Sequence, residues 1–86
     1  MDEFFIGRKG VLVYVGIIIA TTKPNKEILI KARGKAINKA VDVALITDSK
    51  LKQLEVKDVK ISKTKTKNTK NEDISLSTIE IRLGEI

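Results

Sequence analysis

The pattern of apolar and polar residues divides the chain into segments of different period. Residues 4–6, Phe-Phe-Ile, open a short extended segment, and residues 11–20 form an apolar run that contains one glycine. The β-branched content of this run favours a strand, whereas its length suits a buried helix equally well. Because nearly every position in the run is apolar, periodicity does not decide between the two.

Residues 27–32 are largely apolar and predict a strand. A loop around the only proline, at residues 21–26, precedes them. From Lys35 onward the apolar period becomes helical, and we expect this helix to end near residues 48–50. Five residues at positions i, i+3, i+4, i+7 and i+8 predict one buried stripe on it: Ile37, Ala40, Val41, Ala44 and Leu45.

Two further strands are predicted in the last third of the chain. Residues 54–61 alternate between apolar and polar, with a phase slip at residues 57–58 that a β-bulge would reconcile. Residues 75–83 predict the last strand, with Ile79, Ile81 and Leu83 facing inward. The predicted order is therefore strand, apolar element, strand, helix, strand, strand.

Residues 62–73 contain no apolar side chain, so they cannot contribute to a core. Their Thr-Lys alternation is nevertheless a strand pattern, and it places Lys63, Lys65 and Lys67 on one face. We predict that the two flanking strands continue beyond the body as a mobile, basic β-hairpin, which we call the arm. The alternative is a solubilising loop, but the bias toward lysine over acidic residues favours a role in binding phosphates.

Length and charge narrow the class of protein. Eighty-six residues predict a single domain over residues 1–86. Seventeen Lys and Arg against eleven Asp and Glu give a net charge of +6, which favours nucleic acid or an anionic membrane surface as partner. The apolar run is shorter than the about 20 residues of a membrane-spanning helix. The acidic start is unlike a signal peptide, so we expect a cytoplasmic protein.

Composition also argues against an enzyme. The chain has no histidine and no cysteine, which excludes a Ser-His-Asp triad, a thiol nucleophile, a haem or iron–sulfur site and a histidine- or cysteine-based zinc site. It has no Walker or GxGxxG glycine pattern that could cradle a phosphate. We therefore expect no catalytic residues, no metal and no cofactor.

Two basic clusters accompany the arm as candidate binding sites. One is Arg8-Lys9 between two glycines, and the other comprises Lys31, Arg33, Lys35 and Lys39 around a strand–helix junction. A plain surface turn and an ordinary solvated face remain the respective alternatives. The aromatic content of 3% does not favour base stacking, and three arginines do not favour major-groove reading. The binding mode that remains is weakly specific contact with the backbone of a duplex or of structured RNA.

Residues 28–42, with the sequence ILIKARGKAINKAVD, closely resemble the signature of the Alba family of small archaeal chromatin proteins. Residues 6–9 look like the loop of that family, and residues 77–81 look like its last strand. The resemblance implies an α+β fold, a β-α-β-α-β-β two-layer sandwich with a protruding basic β-hairpin, in which residues 10–22 form a helix.

The resemblance also implies a homodimer that binds double-stranded DNA, and RNA as well, with little sequence preference. The leading hypothesis is a chromosome-associated protein that coats and compacts DNA. An RNA-binding or ribonucleoprotein component is the alternative, and a protein–protein scaffold is a third possibility from another class. In this sequence the nucleic-acid contacts implied by the family are Arg8, Lys9, Arg33, Lys35, Lys39, Lys63, Lys65, Lys67 and Lys70.

Three positions depart from the family pattern. Arg8 stands at the first loop lysine, where some members are acetylated, so only the neighbouring Lys9 could take that modification. Gly10 replaces the usual proline after the loop, which loosens the start of the first helix. Leu51 stands where relatives often use a phenylalanine in dimer–dimer contacts, so we expect weaker higher-order assembly along DNA.

Overall fold

A computed structural model describes residues 1–22 and 27–86 of the chain. Most of the loop predicted at residues 21–26 lies outside these described residues. The elements follow the predicted β-α-β-α-β-β order, and the α+β fold is confirmed. They are β1 (Asp2–Phe5), α1 (Val11–Thr21), β2 (Ile28–Arg33), a 3₁₀ turn (Gly34–Ala36), α2 (Ile37–Lys50), β3 (Leu54–Lys67) and β4 (Asp73–Glu85).

The four strands form one mixed sheet in the order β1-β2-β4-β3. β1 is parallel to β2, whereas β4 is antiparallel to both β2 and β3. Alternate residues of the two central strands are buried beneath the helices, and the predicted inward positions of β4 are confirmed. These buried residues are Ile28, Ile30 and Ala32 of β2 and Ile79, Ile81 and Leu83 of β4.

The apolar run at residues 11–20 is a helix, so the strand that its β-branched content favoured is wrong and the helix implied by the family is confirmed. Topology explains the outcome, because the parallel pair β1–β2 requires a crossover connection and a helix is the usual one. Val15 and Ile18 are buried, while Leu12 remains 71% exposed. In the described part of the chain, neither helix is long and apolar enough to cross a membrane.

α2 begins at Ile37, after the 3₁₀ turn, and its buried face differs from the predicted stripe. Ala40 and Ala44 are buried as predicted, but Val41 and Leu45 are 36% and 58% exposed. The buried row is instead completed by two other residues, Val43 and Thr47. The sheet covers a narrower arc of the helix than the five predicted positions span, and a buried threonine is invisible to an apolar pattern.

The predicted bulge in β3 is confirmed, because pairing with β4 shifts register between Val56 and Asp58. Beyond the bulge, Val59 and Ile61 pair with residues of β4 whose side chains face the helices. Val59 and Ile61 therefore lie on the helix side of the sheet as well. They extend past the helices, however, and are 53% and 78% exposed.

The arm is a regular antiparallel hairpin, as predicted. β2 stops pairing with β4 at Thr78, whereas β3 and β4 remain paired as far as Lys67 and Asp73. The hairpin consequently protrudes from the rest of the sheet, in a molecule whose longest extent is 44 Å. Its mobility stays a prediction.

Candidate nucleic-acid interface

The loop between β1 and α1 carries Arg8 and Lys9, and both side chains are exposed. Two side chains from outside the loop hold its backbone. The Tyr14 hydroxyl accepts hydrogen bonds from the backbone N–H of Gly7 at 2.7 Å and of Lys9 at 3.3 Å. The Lys39 ammonium donates to the carbonyl oxygens of the same two residues, at 2.9 Å and 2.8 Å. We call Tyr14 and Lys39 the loop clamp.

Gly7 permits the shortest of these contacts. A Cβ atom at this position would lie 3.3 Å from the Tyr14 hydroxyl oxygen, closer than ordinary van der Waals contact. Glycine at this position therefore allows close approach of a side chain from the same molecule.

The strand–helix junction presents Arg33 and Lys35 on either side of Gly34. Gly34 has a φ of 58°, in the left-handed region that favours glycine. A Cβ there would meet Leu76 Cδ2 at 3.6 Å, an ordinary contact, so backbone conformation rather than space calls for glycine. Arg33 and Lys35 are both exposed and form no ion pair within the described residues.

Two other bases of the junction cluster already have partners. Lys39 belongs to the loop clamp, and Lys31 Nζ lies 2.8 Å from Glu3 Oε1 and 3.6 Å from Glu80 Oε1. The hydrogen bond to Glu3 is the largest cause that raises the pKa of Lys31 above its ordinary value. The pairing is therefore present at neutral pH and is lost as the pH rises through that raised pKa. Lys31 is less available to an external phosphate than Arg33 and Lys35.

The arm places its strand lysines on one face, as predicted. Lys63, Lys65 and Lys67 alternate along β3 and lie opposite Ser77, Ser75 and Asp73 of β4. Lys67 Nζ forms an ion pair with Asp73 Oδ1 at 3.1 Å, but both side chains are largely exposed. Exposed pairs contribute about 0–1 kcal/mol, so this pair can exchange for a phosphate contact.

The tip of the arm is ordered by local hydrogen bonds. The Asn68 side-chain oxygen accepts from the backbone N–H of Lys70 at 2.9 Å and of Glu72 at 3.0 Å. Asn71 adopts a φ of 64°, which asparagine tolerates better than most residues. The turn therefore holds the backbone of Lys70, while its side chain is exposed.

An open groove of about 630 Å³ connects the three basic segments. Gly7 of the loop, Arg33 of the junction, and Ser62 and Thr64 at the base of the arm all line it. The sequence separates these residues widely, and the sheet brings them together because β4 pairs with both β2 and β3. Of the predicted nucleic-acid contacts, Arg33 lines this groove. Lys63, Lys65 and Lys67 alternate with Ser62 and Thr64 and therefore lie on the other face of the hairpin.

Leu51 and Tyr14 make contacts within the chain that the sequence did not indicate. Leu51 caps the C-terminus of α2 and packs half-buried against the core, so part of its apolar surface is already used within the chain. Tyr14 was notable in the sequence only as one of three aromatic residues. No sequence pattern pairs it with Gly7, or pairs Lys39 with a carbonyl 32 residues earlier.

Fold and surface together define a small, basic α+β protein with exposed cations on the loop, the junction and the arm. The Alba family model matches residues 2–68. The chain belongs to the Alba family.

Individual relatives match along almost the whole chain. The DNA/RNA-binding protein Alba of Methanothrix thermoacetophila is 44% identical, over 98% of this chain and 96% of the relative. The DNA/RNA-binding protein Alba 1 of Archaeoglobus fulgidus is 40% identical with the same coverage. The solved structure of Alba from Thermoplasma volcanium superposes with a TM-score of 0.85 at 31% identity, over 98% of this chain and 100% of that one.

Proposed function

We propose that this protein binds double-stranded DNA through its sugar–phosphate backbone, with little sequence preference, and coats and compacts it as a chromosome-associated protein. The observation that carries the proposal is that the cations of the loop, the junction and the arm are all exposed. Most of these cations form no ion pair within residues 1–22 and 27–86. The DNA/RNA-binding names of the relatives support the same reading.

Phosphate contact, rather than base reading, fits the residue types. Lysine and arginine on a loop, a junction and a narrow ribbon neutralise phosphates and fix register, but they carry little sequence information. The proposed contacts are Arg8, Lys9, Arg33, Lys35, Lys63, Lys65, Lys67 and Lys70. We also propose the exposed Lys9 as an acetylation site, where acetylation would remove one of these charges.

A two-fold dimer accounts for the apolar surface left on the helix side. Val41, Leu45 and Asp48 lie on one row of α2 at i, i+4 and i+7. Asp48 Oδ2 accepts a hydrogen bond from the backbone N–H of Val56, so this row faces β3. Val59 and Ile61 of β3 are exposed on the same side of the sheet. We propose that a second copy of the chain covers this surface.

Salt dependence tests the binding mode. If each dimer neutralises about six to eight phosphates, log K should fall against log salt with a slope of about −5 to −7. Affinity for a random 30-mer duplex, measured at several salt concentrations, gives this slope directly. A slope shallower than about −2 would mean that the basic surface is not the binding site, as a protein–protein scaffold would require.

RNA remains the second candidate ligand, because the relatives are named for both nucleic acids. An A-form duplex displays shape, phosphates and 2′-hydroxyls, which a phosphate-contacting surface can also recognise. Direct competition between DNA and RNA duplexes of equal length decides between the two. Preference for the RNA duplex would replace the chromatin role with a ribonucleoprotein role.

Sedimentation tests the dimer. At micromolar concentration the protein should sediment at twice its 9.6 kDa chain mass. A monomer that still binds DNA tightly would contradict the proposed two-fold arrangement. The half-buried Leu51 predicts weak association between dimers, which should appear as low cooperativity when binding to long duplexes is titrated.

A further inference from the structure

We infer that Tyr14 and Lys39, the loop clamp, are positioning residues, which hold the loop so that Arg8 and Lys9 meet the phosphate backbone in a fixed geometry. This inference rests on the proposed function. It assigns Tyr14 a role that the sequence did not suggest. It also changes the role of Lys39 from a direct phosphate contact to an indirect one.

The geometry at Lys39 supports this assignment. An ammonium group has three N–H donors, and two of them are engaged with the carbonyl oxygens of Gly7 and Lys9 at 2.9 Å and 2.8 Å. Both distances lie in the normal range for hydrogen bonds, and the side chain is half-buried. The ammonium offsets the negative ends of two carbonyl dipoles in a loop that is proposed to approach phosphates.

Tyr14 binds backbone N–H groups of the loop, whereas Lys39 binds backbone carbonyl groups. Its hydroxyl oxygen accepts from the N–H groups of the same two residues whose carbonyls Lys39 holds. Four hydrogen bonds therefore fix a short backbone segment. Two of them involve Tyr14 of α1, and two involve Lys39 of α2. The Arg8 and Lys9 side chains stay free for the ligand, while the backbone polar groups of Gly7 and Lys9 are already hydrogen-bonded.

The clamp also links the loop to the junction. Lys39 lies in the first turn of α2, four residues after Lys35 of the 3₁₀ turn. The cations of loop and junction are thereby fixed relative to one another before any ligand binds. Preorganisation of this kind raises affinity because less conformational freedom is lost on binding.

Salt dependence separates a positioning residue from a contact residue. Each phosphate contact that is lost should make the salt slope shallower by about 0.9. We expect Lys39→Met, which keeps the aliphatic stem, to weaken duplex binding about 5-fold at every salt concentration and to leave the slope unchanged. Arg8→Met is the matched control, and it should make the slope shallower because a proposed contact is lost.

Hydrogen exchange of the free protein supplies a readout without ligand. The amides of Gly7 and Lys9 donate to Tyr14, not to Lys39. Faster exchange at these two amides in Lys39→Met would show that the clamp acts as a unit. Tyr14→Phe keeps the ring and should weaken binding in the same way, and the double variant should lose less than the product of the two single losses.

The outcomes separate the two proposals. A slope made shallower by Lys39→Met, or an affinity and exchange pattern unchanged in both clamp variants, would overturn the inference and leave the proposed function intact. A parent protein whose binding hardly depends on salt would overturn the proposed function itself. If Lys39→Met lowers the melting temperature strongly, the same measurements of affinity and salt slope on Tyr14→Phe test the inference instead.

Discussion

The basic residues of the body, on the loop and the junction, are ordered by different means from those of the arm. The loop is held by the loop clamp, whose residues lie in α1 and α2, and the junction turns at the left-handed Gly34 between β2 and α2. The arm is held by its own strand ladder and by the local turn around Asn68. Cations fixed by the body lose less entropy on contact than cations on a protruding ribbon, so equal charges should contribute unequally to affinity.

Charge reversal at the junction should have the largest effect. Arg33→Glu with Lys35→Glu replaces two preorganised cations by repulsive charges. Hydrogen bonds that involve a charged group contribute about 1.5–3 kcal/mol, so we expect duplex affinity to fall about 100-fold or more. Titration against several duplexes of different sequence should show the same loss for each, because neither residue is proposed to read bases.

Removal of the arm cations should have a smaller effect. We expect Lys63→Ala, Lys65→Ala and Lys67→Ala together to weaken binding about 10-fold and to make the salt slope shallower. The melting temperature should hardly change, because exposed substitutions usually stay within about 0.5 kcal/mol. Thermal melts and salt titrations of the same preparation measure both quantities.

The arm variant can contradict the comparison in two ways. Binding like that of the parent would make the arm a solubilising hairpin. A much lower melting temperature would mean that the arm packs against the body. A loss of duplex affinity as large as that of the junction variant would show that cations fixed by the body contribute no more to binding than cations on the arm.

Gly34→Ala tests the backbone that presents the junction. A non-glycine residue in the left-handed region costs about 1–2 kcal/mol, so we expect the free energy of unfolding to fall by about 1 kcal/mol. Gly16→Ala is the matched control, because a Cβ at this position in α1 meets nothing within 4 Å. Alanine should stabilise that helix by about 0.5–1 kcal/mol. Equal effects in chemical denaturation would contradict the strain at Gly34.

Gly10→Pro should have the smallest effect and would sharpen the comparison by stiffening the loop. Gly10 has a φ of −70°, close to the value that proline requires, and a Cβ there meets nothing within 4 Å. We expect stabilisation of about 0.5 kcal/mol, from reduced freedom of the unfolded chain. Denaturation should show this gain with duplex affinity equal or slightly higher, whereas destabilisation would mean that the loop needs the glycine.

Local sequence patterns were sufficient for the strands, the bulge and the arm, because alternation reports directly which residues share a face of a sheet. They were insufficient for residues 11–20, where uniform apolarity hides the period and only the family resemblance indicated a helix. They misplaced Val41 and Leu45, because burial of one helix face depends on how much of it the sheet covers. The loop clamp could not be predicted, since its hydrogen bonds join residues that no local pattern relates.

The position of β3 gives its lysines a consequence beyond phosphate binding. β3 lies at the edge of the sheet and is 14 residues long, so one side of its backbone has no neighbouring strand. Long edge strands invite pairing with other chains, and charged side chains, lysine especially, discourage it. The Thr-Lys alternation therefore also protects the protein from edge-to-edge aggregation. Neutralised arm lysines should lower colloidal stability even where the fold is intact.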